Sequence, residues 1–386
     1  MGIRRGHIDD WVIVGGGIHG TCAARALVAA GAEVAIIDPA PRLLDRWRSR
    51  AAAVSMRWLR SPASHHLDRA PVSLHHFVHG ENDPGALRLA GPFRRPNLEA
   101  FMRHSSRVIA DWGLERRLVK SVVTSIRQEG GLHRVECASA EPRLARRVLL
   151  AVGSNRLRRP GWAATLADRG APIRHVFEEG GDPVEDVIGG GISAVQVALH
   201  ASTKEGARVR LWHRAPLRVS EFDFAWSWAK HRFMGTWQNL GPRGRQDFLQ
   251  RTPRRGSVPP GLERRLSSAV SSGRIQLMGP VGRVGWDGGS AELSLEGAGS
   301  RYPSAGVVLA TGVEQQSAPA VAEHVGLAKE LPTSAGFPLL GDDMDWGMGI
   351  HVTGPLARLR LGPVAPTIVG ARWATSKLPG VRLQPV

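Results

Sequence analysis

Apolar runs of about four residues recur along the chain, and several end in glycine. Trp11-Val12-Ile13-Val14 leads into Gly15-Gly16-Gly17, then into apolar positions at helical spacing from Ile18 to Ala30, then into Val34-Ala35-Ile36-Ile37. Runs without polar alternation suit strands covered on both faces, so this order of strand, glycine turn, helix and strand predicts a parallel βαβ unit. The order restarts from Val187 to Leu199 and continues to Val209-Arg210-Leu211-Trp212. Shorter strands are expected around residues 119–127, 133–138, 148–152, 275–277, 291–295, 307–310 and 349–352, and helices over about 96–112 and 365–377. Residues 215–261, rich in Trp, Phe and Arg, are too long for an ordinary connection and predict a helical insertion over the second glycine turn.

The two glycine turns carry more than structure. Val14-Gly15-Gly16-Gly17-Ile18-His19-Gly20 and Ile188-Gly189-Gly190-Gly191-Ile192-Ser193-Ala194, about 170 residues apart, both have the G-x-G-x-x-G/A spacing of a dinucleotide fingerprint. Gly15 permits the tight turn, Gly17 lets backbone approach a pyrophosphate, and Gly20 lets helix and strand pack closely. Gly189, Gly191 and Ala194 take the same places in the second turn. The two units end unlike each other. The first unit's second strand ends in Asp38, whose carboxylate accepts from a ribose 2′-hydroxyl; the second unit's ends in His213-Arg214, with Arg218 beyond, which suits a 2′-phosphate. The asymmetry predicts two dinucleotides, FAD on the first turn and NADPH on the second. A plainer reading stands beside each: Asp38 precedes Pro39 and can initiate a turn, and Arg214 and Arg218 can be solvated charges.

The expected fold is therefore α/β, with two Rossmann-like dinucleotide-binding domains. Residues 1–157 and 305–386 form a discontinuous FAD domain, and 158–304 form the NADPH domain inserted within it.

Composition trims the chemistry. The net charge of +17 concentrates anions around the chain and permits loose association with nucleic acid. No zinc-finger spacing or aromatic RNP pattern accompanies it, so no specific nucleic-acid partner is expected. Cys22 and Cys137 are the two cysteines, and neither has a near neighbour in sequence, so there is no C-x-x-C redox pair and no metal site is expected. No apolar segment approaches the roughly 20 residues of a membrane helix, and the expectation is a cytoplasmic protein without a membrane partner. No H-E-x-x-H, Walker lysine or G-x-S-x-G is present, which leaves the chemistry to a cofactor.

The run from Met56 to Leu67 holds Arg57, Arg60, His65 and His66. As a cluster these are candidates for contact with flavin or an anionic substrate; singly each also reads as part of a structural loop. His175 comes after an apolar stretch and reads as structural. The aromatics Phe224, Trp226, Trp228 and Trp237 read as the seam of the inserted helices.

Taken in order, these residues resemble the two-dinucleotide flavoprotein superfamily. Within it they resemble the single-component flavin-dependent monooxygenases, including ornithine and lysine N-hydroxylases and flavin-containing monooxygenases. The resemblance rests on the fingerprints at Gly15–Gly20 and Gly189–Ala194 and on Ala310-Thr311-Gly312, which is similar to the A-T-G motif of those families. His351-Val352-Thr353-Gly354-Pro355 through Gly362-Pro363 looks like the C-terminal return to FAD. The resemblance implies Thr311, Gly312, Gly354 and Gly362 as cofactor-binding positions, hydride transfer from NADPH to FAD, and oxygen as a co-substrate. It further implies oxygen transfer, through a flavin hydroperoxide, to a small nucleophilic molecule. Met56–Pro62 stands where N-hydroxylases carry a flavin- and substrate-contacting motif, but its residues differ. An NADPH-dependent flavin reductase or dehydrogenase with another acceptor, and a non-catalytic flavin or nucleotide sensor, are the other readings. The substrate and the oligomeric state stay open.

Overall fold

The computed structural model describes residues 7–80, 87–181, 183–229, 232–251, 256–289, 291–295, 300–327 and 331–381. Two parallel sheets are built to one plan. In the first, the strands lie in the order Leu118–Lys120, Val34–Asp38, Ile8–Val14, Arg143–Leu150 and Ile350–Val352. In the second they lie in the order Ile275–Met278, Val209–Trp212, Asp186–Ile188, Val307–Leu309 and Ile173–His175. An antiparallel excursion precedes the fourth strand of each. It is the hairpin Val123–Glu129 and Leu132–Cys137 in the first unit, and the meander Val281–Trp286, Ala291–Leu295 and Arg301–Ser304 in the second.

The apolar runs lie where their lack of alternation requires, with Val12, Ile13, Ile36, Val187, Leu211 and Leu309 all at 1% exposure or less. The first strand, however, begins at Ile8 rather than Trp11. Its polar start is stabilised by a pairing invisible in sequence: Asp9 is buried and accepts from Arg143 Nε and Nη2 at 2.9 and 2.8 Å. The second unit repeats the device. Asp186 accepts from Arg210 Nε and Nη2, each at 2.7 Å, and from Trp212 Nε1 at 2.6 Å. Forked pairing of this kind offsets the desolvation of a buried carboxylate, which alone costs several kcal/mol.

Two sequence expectations are corrected. The strand Val307–Leu309 pairs with Asp186–Ile188 and Ile173–His175, so it belongs to the second sheet and a boundary at 305 falls too early. The chain returns to the first unit only after Gly312, beside its outward path, where Leu157 and Val313 form an antiparallel bridge. The insertion is helical, with a 3-10 turn at Trp226–Ala229 and helices at Arg232–Asn239 and Gly241–Arg251. Those helices pack on the first unit instead of roofing the second glycine turn. Trp237 is fully buried with Leu249, Phe337 and Leu359, and its Nε1 donates to Leu359 O at 3.3 Å.

Candidate functional site

The first glycine turn is shaped by steric demand. Gly15 has φ +111°, and a Cβ there would lie 2.5 Å from Ala151 O. A Cβ on Gly20 would lie 1.8 Å from Gly15 O, so no larger residue fits while the helix Ile18–Ala29 keeps its place. Gly17 is the opposite case: among the described residues a Cβ there would meet nothing within 4 Å. The backbone at the helix N-terminus therefore faces open space, the arrangement that receives a phosphate. Asp38 closes one side, accepting from Gly16 N at 2.7 Å and Ala40 N at 2.9 Å, and each carboxylate oxygen retains acceptor capacity.

The C-terminal return meets this turn through residues that sequence reasoning passed over. His19 Nδ1 and Thr353 Oγ1 are 2.9 Å apart, and the imidazole lies against Gly354, which has φ +77°. Burial pushes the His19 pKa down to about 4, so the ring is neutral near pH 7. Only the unusual histidine inside the fingerprint could have signalled this, because a contact across 334 residues leaves no periodicity. Gly362, with φ +74°, lies under the Trp237 ring, 3.1 Å from where a Cβ would stand.

The second turn repeats the first in register. Gly15 N donates to Ile37 O at 2.8 Å and Gly189 N to Trp212 O at 2.9 Å, which puts His213 in the place of Asp38. A Cβ on Gly189 would lie 2.5 Å from Ala310 O, the counterpart of Ala151 O. Ala194 fills the third position and is fully buried. His213 Nδ1 is 2.9 Å from Ala215 O, while Arg214 and Arg218 are exposed and unpaired among the described residues. Gly191 differs from Gly17. The insertion's returning stretch passes over it, with Gly256 Cα 3.4 Å from where a Gly191 Cβ would stand.

Thr311 and Gly312 lie at the crossing between units. The Thr311 hydroxyl donates to Arg158 O, and Gly312 O accepts from Arg158 N at 3.0 Å and faces His175 Nε2 at 3.0 Å. His175 is fully buried, in keeping with its structural reading.

The structure separates the four residues of the Met56–Leu67 run. Arg60 spends all five of its donors: Nε on Glu221 O, Nη1 on Asp223 Oδ1 and Ser257 O, and Nη2 on Ser220 O and Ser257 Oγ. None remains for a ligand, so Arg60 fastens the insertion to the first unit. His66 is also structural. It is fully buried, its Nδ1 accepts from Asp68 N at 3.1 Å, and its Nε2 then donates to Pro71 O at 3.2 Å. The His65 ring stacks on Trp226 at 5.9 Å between centroids. Arg57 alone points outward without a partner among the described residues. Among those residues no helix is long and apolar enough to cross a membrane, and no group of three metal-ligating side chains occurs.

Comparison with known proteins agrees with this architecture. Ornithine hydroxylase from Pseudomonas aeruginosa, in its reduced form, is 20% identical over 97% of this chain and 100% of that one, with a TM-score of 0.72. Ornithine N-hydroxylase from Kutzneria, solved with reduced FAD, NADP⁺ and L-ornithine, is 16% identical over 96% and 98%, with a TM-score of 0.72. Bacillithiol disulfide reductase from Bacillus cereus is 18% identical over 96% and 98%, with a TM-score of 0.62. These likenesses are of fold. No curated protein matches in sequence. The profile of pyridine nucleotide-disulphide oxidoreductases, however, matches residues 9–327, from the first strand to beyond the second sheet, and the chain belongs to that family.

Proposed function

We propose that this protein is an FAD-dependent oxidoreductase reduced by NADPH, and that it acts as a monooxygenase on a small nucleophilic substrate. The observation that carries the reading is the exchange of Asp38 for His213-Arg214 at equivalent ends of two equivalent units. An acid there suits ribose hydroxyls and a cation suits a 2′-phosphate. The residues at the first turn fit FAD as they stand, and those at the second fit NADPH once the stretch at Gly256 moves off Gly191. The space over Gly17 and the helix start at Ile18 would take the FAD pyrophosphate, with Asp38 on the ribose and the return at Gly354 alongside. Gly189 and Gly191 would take the NADPH pyrophosphate, with Arg214 and Arg218 beside the 2′-phosphate. FAD, when bound, supplies hydride acceptance and reaction with oxygen.

The chain's part is positioning. Neutral His19 holds the return against the first turn without placing a charge beside the flavin site. The Arg60 and Trp237 contacts hold the insertion against the first unit. Delivery of electrons to a disulfide through a cysteine pair has poor support here, since Cys22 is buried in the first helix and Cys137 lies on a separate hairpin strand. The resemblance to bacillithiol disulfide reductase keeps one competing reading in view, reduction of an external acceptor without oxygen transfer.

The deciding measurement is the absorption spectrum of the purified protein before and after NADPH is added in air. A flavin spectrum that bleaches with NADPH and recovers with oxygen supports the oxidoreductase. A protein that neither retains nor takes up FAD ends the proposal. Counting hydroxylated product against hydrogen peroxide over candidate amines, thioethers and ketones then tests the monooxygenase. NADPH consumption stimulated by an external acceptor, with no oxygenated product from any of them, favours the reductase.

A further inference from the structure

A groove of about 420 Å³ runs along the helix Ile192–Ala201, away from the first glycine turn. Residues 55–60 and the bend at Ala90–Pro92 form one wall, and the start of the helix Pro260–Ser271 forms another. The volume is that of a small-molecule site, ~300–1,000 Å³. Much of the lining is apolar, with Trp58, Leu59, Leu199 and Leu262 facing the space, and Trp58 remains 36% exposed.

Its charges fall into two groups. Arg60 is saturated, and Arg95 is paired with Glu221 at 2.8 Å, which also neutralises the carboxylate in the lining. Arg57, Arg264 and Arg265 are exposed and bond to no described residue. The groove thus carries unspent positive charge beside an apolar floor. Gln196 adds an independent sign. It is 9% exposed, it lines the groove, and its Oε1 has no hydrogen-bond partner among the described residues. A buried acceptor left unpaired costs ~1–3 kcal/mol, a cost that a ligand donor would relieve.

We infer that this groove binds an amphipathic anion: an apolar body against Trp58 and Leu199, a hydrogen-bond donor toward Gln196, and an acidic group held by Arg57, Arg264 and Arg265. N-acyl amino acids and hydroxylated acyl carboxylates have this chemistry. The groove shares no residue with the first turn or the C-terminal return, and from the second turn's helix it takes only the side from Ile192 onward. Its lining meets the second fingerprint at Ile192 alone, the rest of that wall being Gln196, Leu199 and His200 farther along the helix, and its occupancy does not depend on the proposed oxidoreductase activity.

Dansylglycine carries all three features, and its emission rises on leaving water. Titrated into the protein as purified, with and without saturating NADP⁺, it should fill one saturable site in both conditions. Dansylsarcosine, which lacks the N–H, and dansylcadaverine, which carries a cation instead of the carboxylate, should each bind about tenfold more weakly or worse. The double variant Arg264→Ala/Arg265→Ala should weaken dansylglycine by about tenfold, and Gln196→Leu should abolish its advantage over dansylsarcosine. Equal binding of dansylcadaverine, no effect of the double variant, or full displacement by NADP⁺ would each overturn the assignment.

Discussion

The two glycine turns are built alike and finished differently. Both sit between a strand and helix of a parallel unit, both are pinned by a carbonyl at the end of the neighbouring strand, and both pass so close to the carbonyl of an alanine just beyond a third strand that only glycine fits. The first requires glycine at 20, opens to space at Gly17 and ends beside a carboxylate. The second accepts alanine at 194, is covered at Gly191 by Gly256 and ends beside cations. Shared backbone geometry sets where a dinucleotide can lie; a few side chains at the ends set which one.

The strongest way to break the comparison is at its third position. Gly20→Ala forces a methyl into Gly15 O, so the flavin content of the purified protein should fall to background and stability by ~3 kcal/mol or more. Ala194→Gly should cost only ~1 kcal/mol and leave flavin content unchanged. Urea titration and the flavin's visible absorbance report both. Equal tolerance at the two sites would show that the helix–strand spacing in the first unit is not set by Gly20.

The buried acids give a sharper contrast. Asp186→Ala leaves the buried Trp212 indole without its acceptor and Arg210 with Pro303 O and Glu185, and should cost ~3–5 kcal/mol, whereas Asp9→Ala, which removes the carboxylate facing the more exposed Arg143 and His7, should cost less. Equal losses for the two variants in denaturant titrations would contradict the extra weight given to the indole.

Reversing the charge at the end of the second unit should act on one cofactor. Arg214→Asp should weaken NADPH by roughly ten- to a hundredfold, with flavin content and NADH affinity nearly unchanged. Unaltered NADPH affinity would remove Arg214 from the phosphate site.

Acid should find the first unit weaker. Burial lowers His65 to about 4, His66 to about 3 and His104 to about 4, all in the first unit. A neutral imidazole in the fold that ionises near 6.5 when unfolded gives stability that is complete above 6.5. That stability is lost as pH falls toward the folded value. His104→Gln, which can keep the bond to Ser73, should therefore flatten the decline between pH 6.5 and about 4 by ~1.4 kcal/mol per pH unit. An unchanged slope would mean that His104 takes up no proton on unfolding in that range.

Local features were the legible ones. Both turns, the helix beginning at Ile18 and the central strands come from apolar runs and glycine spacing, because neighbours in sequence decide them. Arg60 reads as a ligand contact from sequence because its five acceptors lie more than 150 residues away, and nothing near position 60 announces them. The strand Val307–Leu309 is recognisable as a strand, but its sheet is not, since partner choice depends on the path of the whole chain. His19 and Thr353, and the groove beside Gln196, are hidden for the same reason.

The insertion has a mechanical consequence. Two backbone passages at Leu157 and Val313 could serve as the pin of a hinge, about which one sheet unit swings against the other. A third fixing, made by Arg60 and Trp237 on chain that leaves the second unit and comes back past Gly191, works as a door's bolt works against its hinges. Three points of attachment oppose that swing, and the contact that limits room at Gly191 is with the returning stretch at Gly256.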